Sequence, residues 1–442
     1  MTANQEPSMH AVVITPGDAF SGDVTVPGDK SISHRTLLLG AMADGGSHVG
    51  GFLPSADCVA TLGCVRALGI EIETWDAQDG IRLTIHGRGM RGLRKPDAPL
   101  DCVRSGTTMR LLAGIAAGQP FDTVLTGEPQ LRRRPMERIA LPLRRMGADI
   151  ETTDGHAPLT IHGRRLHGYE HALPVASAQV KSAILLAGLQ ADGKTFVHQP
   201  GPVRDHTELM LKAMGANLEV TDLYIALTPP TSPLKPLDVT VPGDLSSACF
   251  VLVAGLLTLD SEVTVKGVGI NPTRTGLLDV LETMGGDIAI NRRPDQGGEP
   301  AGDVTARASD LRGTQVYGDT VVRMIDEFPV LAVVATQAKG TTIVRDAAEL
   351  RIKETDRIAA IASELTKMGA RIEPRPDGFS VTGPTQLRGT VVDSHGDHRI
   401  AMALAIAGLV AEGRTTVQNP ACIRDSFPDF IGAMRTIGAS IA

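Results

Sequence analysis

The stretch Thr25-Val26-Pro27-Gly28-Asp29-Lys30-Ser31-Ile32-Ser33-His34-Arg35 concentrates the residue types that hold phosphate, and an apolar run of helical length follows it. The β-branched pair ends a strand, Pro-Gly-Asp makes a turn, and the small hydroxyl residues open a helix. A helix start offers unpaired backbone N–H groups and the positive end of the helix dipole, so it is a seat for an anion. Lys30 and Arg35 add cations, and Ser31 and Arg35, four apart, share a helix face. The motif returns as Thr240-Val241-Pro242-Gly243-Asp244-Leu245-Ser246-Ser247, with a leucine where the lysine stood. The first copy reads as chemical and the second as structural.

Further polar clusters stand along the chain, most of them where an apolar run begins. Arg104-Ser105-Gly106-Thr107-Thr108-Met109-Arg110 combines a hydroxyl-rich cap with a glycine that permits close backbone approach. Arg132, Arg133 and Arg134 lie on a loop, and Ser177-Ala178-Gln179-Val180-Lys181 sets hydroxyl, amide and ammonium at a helix start. Arg204-Asp205-His206-Thr207-Glu208 reads equally well as an exposed capping box. Asp326 and Glu327 put carboxylates where a helix start favours the ionised form. In Arg351 to Arg357, Lys353 and Arg357 read as like charges at i, i+4, which cost a few tenths of a kcal/mol unless an anion or Glu354 compensates. Gly396-Asp397-His398-Arg399 brings acid, base and anion clamp together. For each cluster the competing reading is a solvated surface.

The elements that must carry these groups repeat. A signature of apolar-x-x-apolar-Gly, mostly followed by a small and then a β-branched residue, occurs six times, with glycines Gly69, Gly147, Gly215, Gly285, Gly369 and Gly438 about seventy residues apart. Each reads as the end of an amphipathic helix, a left-handed glycine and the next strand. Six nearly all-apolar runs read as buried helices, and RLTIHG and PLTIHG alternate as strands do. The expected architecture is α/β, two domains of three βαβαββ units each, with buried helices and a ligand cleft between the domains. Residues 28–242 form one domain and 1–27 with 243–442 the other, the chain crossing near 26–29 and 241–244.

With 442 residues, 42% hydrophobic and 21% charged, the chain is long enough for two cores, and a net charge of -7 gives no reason to expect nucleic acid or an anionic membrane. The opening residues lack a basic and then apolar leader, so a cytoplasmic protein is expected. Five cysteines without CxxC spacing read as buried free thiols. Gly87, Gly89 and Gly92 match GxGxxG, but the following RKPDAPL cannot open a dinucleotide-binding helix, and no GxxxxGK[ST] loop is present. His167 with His171 and His395 with His398 lack further ligands, so neither metal nor cofactor is expected.

Taken in order, GDKSISHR, SGTTMR, GEPQLRRRP, ASAQVKS, RIKETDR and GDHRIAMA resemble the 5-enolpyruvylshikimate-3-phosphate synthase family across nearly the whole chain. The resemblance implies transfer of the enolpyruvyl group of phosphoenolpyruvate to the 5-hydroxyl of shikimate 3-phosphate, without metal, in aromatic amino-acid biosynthesis. It implies Lys30, Gly106, Arg134, Gln179, Arg357 and Arg399 at phosphoenolpyruvate. It also implies Lys30, Ser31, Arg35, Ser177, Ala178, Gln179, Arg204, Asp326 and Lys353 at shikimate 3-phosphate, with Asp326, Glu354, Lys30 and His398 in the chemistry. Gly106 suggests sensitivity to glyphosate, which that family binds in the phosphoenolpyruvate site. Many relatives carry a lysine where this chain has Asp425, with Arg424 beside it. The sibling UDP-N-acetylglucosamine enolpyruvyl transferase is the nearest alternative, although no loop cysteine stands between Glu128 and Arg134. A phosphosugar-binding protein without turnover is the alternative of another class. A monomer is expected.

Overall fold

The six apolar runs fold as buried helices, Lys30–Met42, Gly106–Ala117, Ala178–Gly188, Leu245–Leu257, Phe328–Gln337 and His398–Leu409, in a computed structural model that describes residues 10–77, 80–221 and 223–442. Residues 1–9, part of the stretch on which the cytoplasmic expectation rests, lie outside that description. Five of these helices are capped by Asp29, Ser105, Ser177, Asp244 or Asp397, each side chain accepting a backbone N–H of the first turn. Such a cap is worth about 1 kcal/mol. The remaining helix has no side-chain cap and begins at Phe328-Pro329, where proline's missing N–H is no loss. Asp326 therefore precedes this helix instead of lying in its first turn.

Outer helices alternate with the buried ones: Ala56–Ala67, Glu137–Arg145, His206–Ala213, Gly276–Thr283, Arg357–Lys367 and Phe430–Thr436. The six repeat glycines follow them with φ between 86° and 100°, a conformation that side chains with a Cβ resist. Among the described residues there are six four-stranded sheets, and in five of them one pairing is parallel and two are antiparallel. In the second repeat, for example, Leu100–Asp101 runs parallel to Thr123–Thr126, which pairs antiparallel with His156–His162, and that strand pairs with Asp149–Thr153.

Two strands are exchanged along the chain. Ser21–Thr25 precedes the first buried helix yet runs parallel to Glu262–Gly269 of the fourth repeat. Asp238–Thr240 precedes the fourth buried helix yet runs parallel to Asp44–Phe52 of the first. Ala11–Thr15 completes the last sheet between Thr415–Gln418 and Ser440–Ile441. The chain accordingly divides into a unit of Met1–Pro27, Gly243–Pro294 and Pro300–Ala442 and a unit of Gly28–Pro242 with Asp295–Glu299. The short second segment goes with its unit through Glu299, which meets His206 Nδ1 at 2.6 Å, both side chains being buried. Each unit has its own apolar core, and all five cysteines are buried free thiols.

At Gly369 an added Cβ would meet nothing closer than the Gln386 carbonyl at 3.9 Å, so only its φ of 93° opposes a side chain. Gly369→Ala is expected to cost about 1–2 kcal/mol, measured by denaturant unfolding, with activity retained at low denaturant.

Candidate active site

In the unit of Gly28–Pro242, three buried helices start on a common hydrogen-bonded network. Arg35, 4% exposed, donates from Nε to Thr207 Oγ1 at 2.7 Å and through its two terminal nitrogens to Ser182 Oγ at 2.8 Å and the Ser31 carbonyl at 2.9 Å. Burial pulls its pKa down to about 10, against the pull of Glu208. Glu208 in turn lies 2.5 Å from Lys181 Nζ, both side chains being buried. The Arg204 to Glu208 stretch is thus not an exposed capping box: His206, Thr207 and Glu208 are buried and Asp205 makes no cap bond. The apolar helix beneath needs its polar start satisfied from inside the protein.

Lys30 opens the first of these helices, and its Nζ lies 3.1 Å from Asp57, in the first turn of an outer helix. Gly106 opens the second, where an added Cβ would stand 3.0 Å from one Arg134 terminal nitrogen and 3.1 Å from one of Arg110. Arg110 donates to Gln179 Oε1 at 2.5 Å, and Gln179 Nε2 donates to Thr107 at 2.9 Å. Gly106, Arg110, Arg134 and Gln179 are therefore neighbours, while Ser177 caps the helix that Ala178 opens. Behind Lys30, His34 Nδ1 meets Thr61 Oγ1 at 2.6 Å, Thr61 meets Thr108 at 2.6 Å, and Thr108 donates to Ser105 at 2.7 Å. Burial lowers the His34 pKa to about 3, so the ring is neutral at physiological pH.

The other unit assembles a charge cluster around Arg357, which is 2% exposed. Its Nε donates to Asp397 at 2.8 Å, one terminal nitrogen to Asp326 at 3.3 Å and the other to Glu354 at 2.7 Å. Lys353 Nζ and an Arg399 terminal nitrogen each stand 3.8 Å from an Asp326 carboxylate oxygen. Asp397 also caps the helix that His398 opens, accepting from the Arg399 N–H at 2.8 Å. Burial disfavours the Arg357 charge, but Asp397, Glu354 and Asp326 outweigh it and raise its pKa above the ordinary value. Lys353 and Arg357 do not share a helix. A 3-10 turn, Ala348–Ile352, ends before Lys353, and Asp356 caps a new helix by accepting from the Ala359 N–H at 3.0 Å. Among the described residues no group of His, Cys, Asp and Glu has the makings of a metal site.

Each unit thus sets cations at helix starts, an arrangement that suits a negatively charged ligand. The family profile of EPSP synthase (3-phosphoshikimate 1-carboxyvinyltransferase) matches residues 14–434. The chain belongs to the EPSP synthase family. A 3-phosphoshikimate 1-carboxyvinyltransferase of Herpetosiphon aurantiacus is 54% identical over 413 residues, 92% of this chain and 95% of that protein. One from Roseiflexus sp. is 50% identical over 429 residues, 96% of this chain and 98% of its own. The solved EPSP synthase of Acinetobacter baumannii superposes with a TM-score of 0.88 at 44% identity, covering 98% of this chain and 99% of that one. The enolpyruvyl transferase NikO of Streptomyces tendae, at 23% identity and TM-score 0.80, shares the fold.

Sequence reasoning for this EPSP synthase family member did not single out Asp57, Thr61 or the Lys181–Glu208 pair. Asp57 looks like any acidic residue in a helix first turn, and its partner Lys30 lies 27 positions away. Asp397 was visible in its motif, but its hold on Arg357 was not.

Because His34 is held neutral, with a pKa of about 3 against an ordinary 6.5, the unfolded chain binds the extra proton between those values. Its contribution to stability is complete above pH 6.5 and falls as pH drops toward 3, by about 1.4 kcal/mol per pH unit at most. In H34N, unfolding free energies measured across that window are expected to fall less steeply with acid than in the parent protein.

Proposed function

We propose the following division of labour for the reaction of this enzyme, which moves the enolpyruvyl group of phosphoenolpyruvate to the 5-hydroxyl of shikimate 3-phosphate and releases phosphate. The observation that carries it is that Asp326 and Glu354 are held by one guanidinium, that of Arg357. Anchoring to a single cation holds the two carboxylates at a fixed spacing, which an acid and a base acting on one substrate require. Asp326 takes the 5-hydroxyl proton as that oxygen bonds to C2 of phosphoenolpyruvate, and Glu354 delivers a proton to the methylene carbon. The tetrahedral adduct then loses a methyl proton back to Glu354 and expels phosphate by C–O cleavage.

Lys30, Arg134, Arg357 and Arg399 receive the phosphate and carboxylate of phosphoenolpyruvate, with Gln179 as a further contact and Gly106 leaving room for the ligand. Ser31, Arg35, Ser177, Ala178, Gln179, Arg204 and Lys353 serve shikimate 3-phosphate together with Lys30 and Asp326. For Arg35 the reading is supported by donor count. A guanidinium has five N–H donors, and the Arg35 contacts described above take one from each nitrogen. His398, 3% exposed and directly before Arg399, assists. The enzyme works as a cytoplasmic monomer, which light scattering tests; among the described residues no helix is long and apolar enough to cross a membrane.

Phosphate release is measured with phosphoenolpyruvate and shikimate 3-phosphate, no metal being added, beside a tube containing UDP-N-acetylglucosamine. Release is expected only with the shikimate compound. Release only with the nucleotide sugar overturns the acceptor, and binding of both ligands without release favours a non-catalytic phosphosugar-binding protein. E354Q is expected to slow exchange of solvent protons into the methylene group far more than it weakens binding, and unchanged exchange sinks the assignment. R399M is expected to lower kcat/KM by about a hundredfold, the loss typical of one fixed electrostatic contact in a transition state.

A further inference from the structure

Beside the Arg357 cluster, the same unit contains a second set of buried charges that none of these roles uses. Arg274 donates to Asp244 Oδ1 at 2.9 Å and to Ser246 Oγ at 2.7 Å. The Ser246 hydroxyl donates to Glu327 Oε1. Asp244 also accepts from the Ser246 N–H at 3.2 Å and the Ser247 hydroxyl at 3.3 Å. None of Arg274, Asp244, Ser246 and Glu327 is more than 4% exposed. The buried Cys249 thiol faces the same set, with Arg399 acting on it as well.

Asp244 meets the Arg274 guanidinium directly, whereas Glu327 is joined to the set through the Ser246 hydroxyl. Glu327 Oε2 is buried and has no hydrogen-bond partner among the described residues. A buried carboxylate with an unmatched oxygen is costly, and an apolar side chain would fill the space at less expense. Helix capping does not explain it, since the Glu327 side chain makes no cap bond. Its backbone is fixed on both sides, the Glu327 N–H donating to Met324 O at 2.9 Å and its carbonyl accepting from Leu331 N–H at 3.0 Å. The preceding residue is Asp326, whose carboxylate faces Lys353, Arg357 and Arg399. Those three cations weaken Asp326 as a base. Glu354 and Asp397 oppose them from the same cluster, both already engaged with Arg357.

We propose that Glu327 is a positioning residue for Asp326: held by Ser246, which Arg274 also bonds, it fixes the peptide that presents the Asp326 carboxylate and keeps a like charge on the adjoining residue. That charge offsets part of the pull of Lys353, Arg357 and Arg399, so Asp326 stays basic enough to accept the hydroxyl proton. The inference rests on the reading of Asp326 as the base. It gives the second copy of the Thr-Val-Pro-Gly-Asp motif a place in the chemistry, since Asp244 and Ser246 anchor the pair.

The test follows kcat against pH at saturating shikimate 3-phosphate and phosphoenolpyruvate for the parent enzyme, E327Q, E327D and D326N. Removing the charge in E327Q is expected to move the acid limb down by about one pH unit, as loss of a neighbouring like charge does. Plateau kcat is expected to fall several-fold on the order set by a weaker base, with both KM values little changed, and E327D is expected to return the limb toward the parent position. An acid limb that stays in place in E327Q, whatever happens to thermal stability, overturns the proposal. Where E327Q fails to fold, S246A serves: it keeps the charge but releases its anchor, so kcat is expected to fall without movement of the limb, and an unchanged kcat overturns the positioning role. Parent-like activity and pH dependence in D326N would remove Asp326 as the base, a separate failure that takes the role of Glu327 with it.

Discussion

The guanidinium of Arg357 is almost fully withdrawn from water, and it keeps its charge because three carboxylates from three stretches of chain converge on it. Asp326 comes from the segment before the fifth buried helix, Glu354 from the turn before the helix that Arg357 opens, and Asp397 from the cap of the sixth buried helix. Burial alone would drive such a charge out or neutralise it, so each partner is needed to hold the others. The arrangement therefore ties two repeats together at the point where their helices start. Buried ion pairs are seldom the cheapest way to stabilise a fold. Their presence beside a large apolar core is what a site kept for chemistry looks like.

The other unit solves a related problem with hydroxyl groups. His34, Thr61, Thr108 and Ser105 form a chain in which each group meets the next, and Ser182 and Thr207 bridge to Arg35. Neutral hydroxyls serve as donor or acceptor as the neighbour requires, so they join helix starts without adding charge. Carboxylates answer individual cations here, Asp57 at Lys30, Glu128 at Arg104 and Glu208 at Lys181, and the N-terminal ends of these helices add positive character of their own.

Much of this was legible in the residues. The six glycines mark helix ends because only glycine accepts that backbone angle without cost, and the apolar runs mark buried helices because nothing in them could face water. The clusters at helix starts were equally visible. Their partners were not, because pairing across tens of residues leaves no periodic trace. Lys30 with Asp57, and Arg274 with Asp244, are examples. Charge density also misled at Lys353 and Arg357, where a run that reads as one helix is broken by Asp356, whose side chain prefers the cap. The second copy of the motif read as structural because Leu245 stands where the lysine stood, and the bond of its aspartate to Arg274 lies outside any local pattern.

Lys30 and Arg357 are the first residues of their helices and Arg399 is the second of its own, and none of these first turns holds an acidic residue. A cation there opposes the helix dipole and costs roughly 0.3–1 kcal/mol, the reverse of what stability would select. Three such placements, all at residues implied for phosphoenolpyruvate, are local conflicts of the kind that functional sites retain. In each case a carboxylate of the protein answers the cation: Asp57 for Lys30, Asp326 for Arg399, and Asp326, Glu354 and Asp397 for Arg357. An anion brought to such a first turn would meet the cation and the helix end together, which no side chain fixed to its own backbone does as fully, and the strain in these turns is of the kind that an anion relieves.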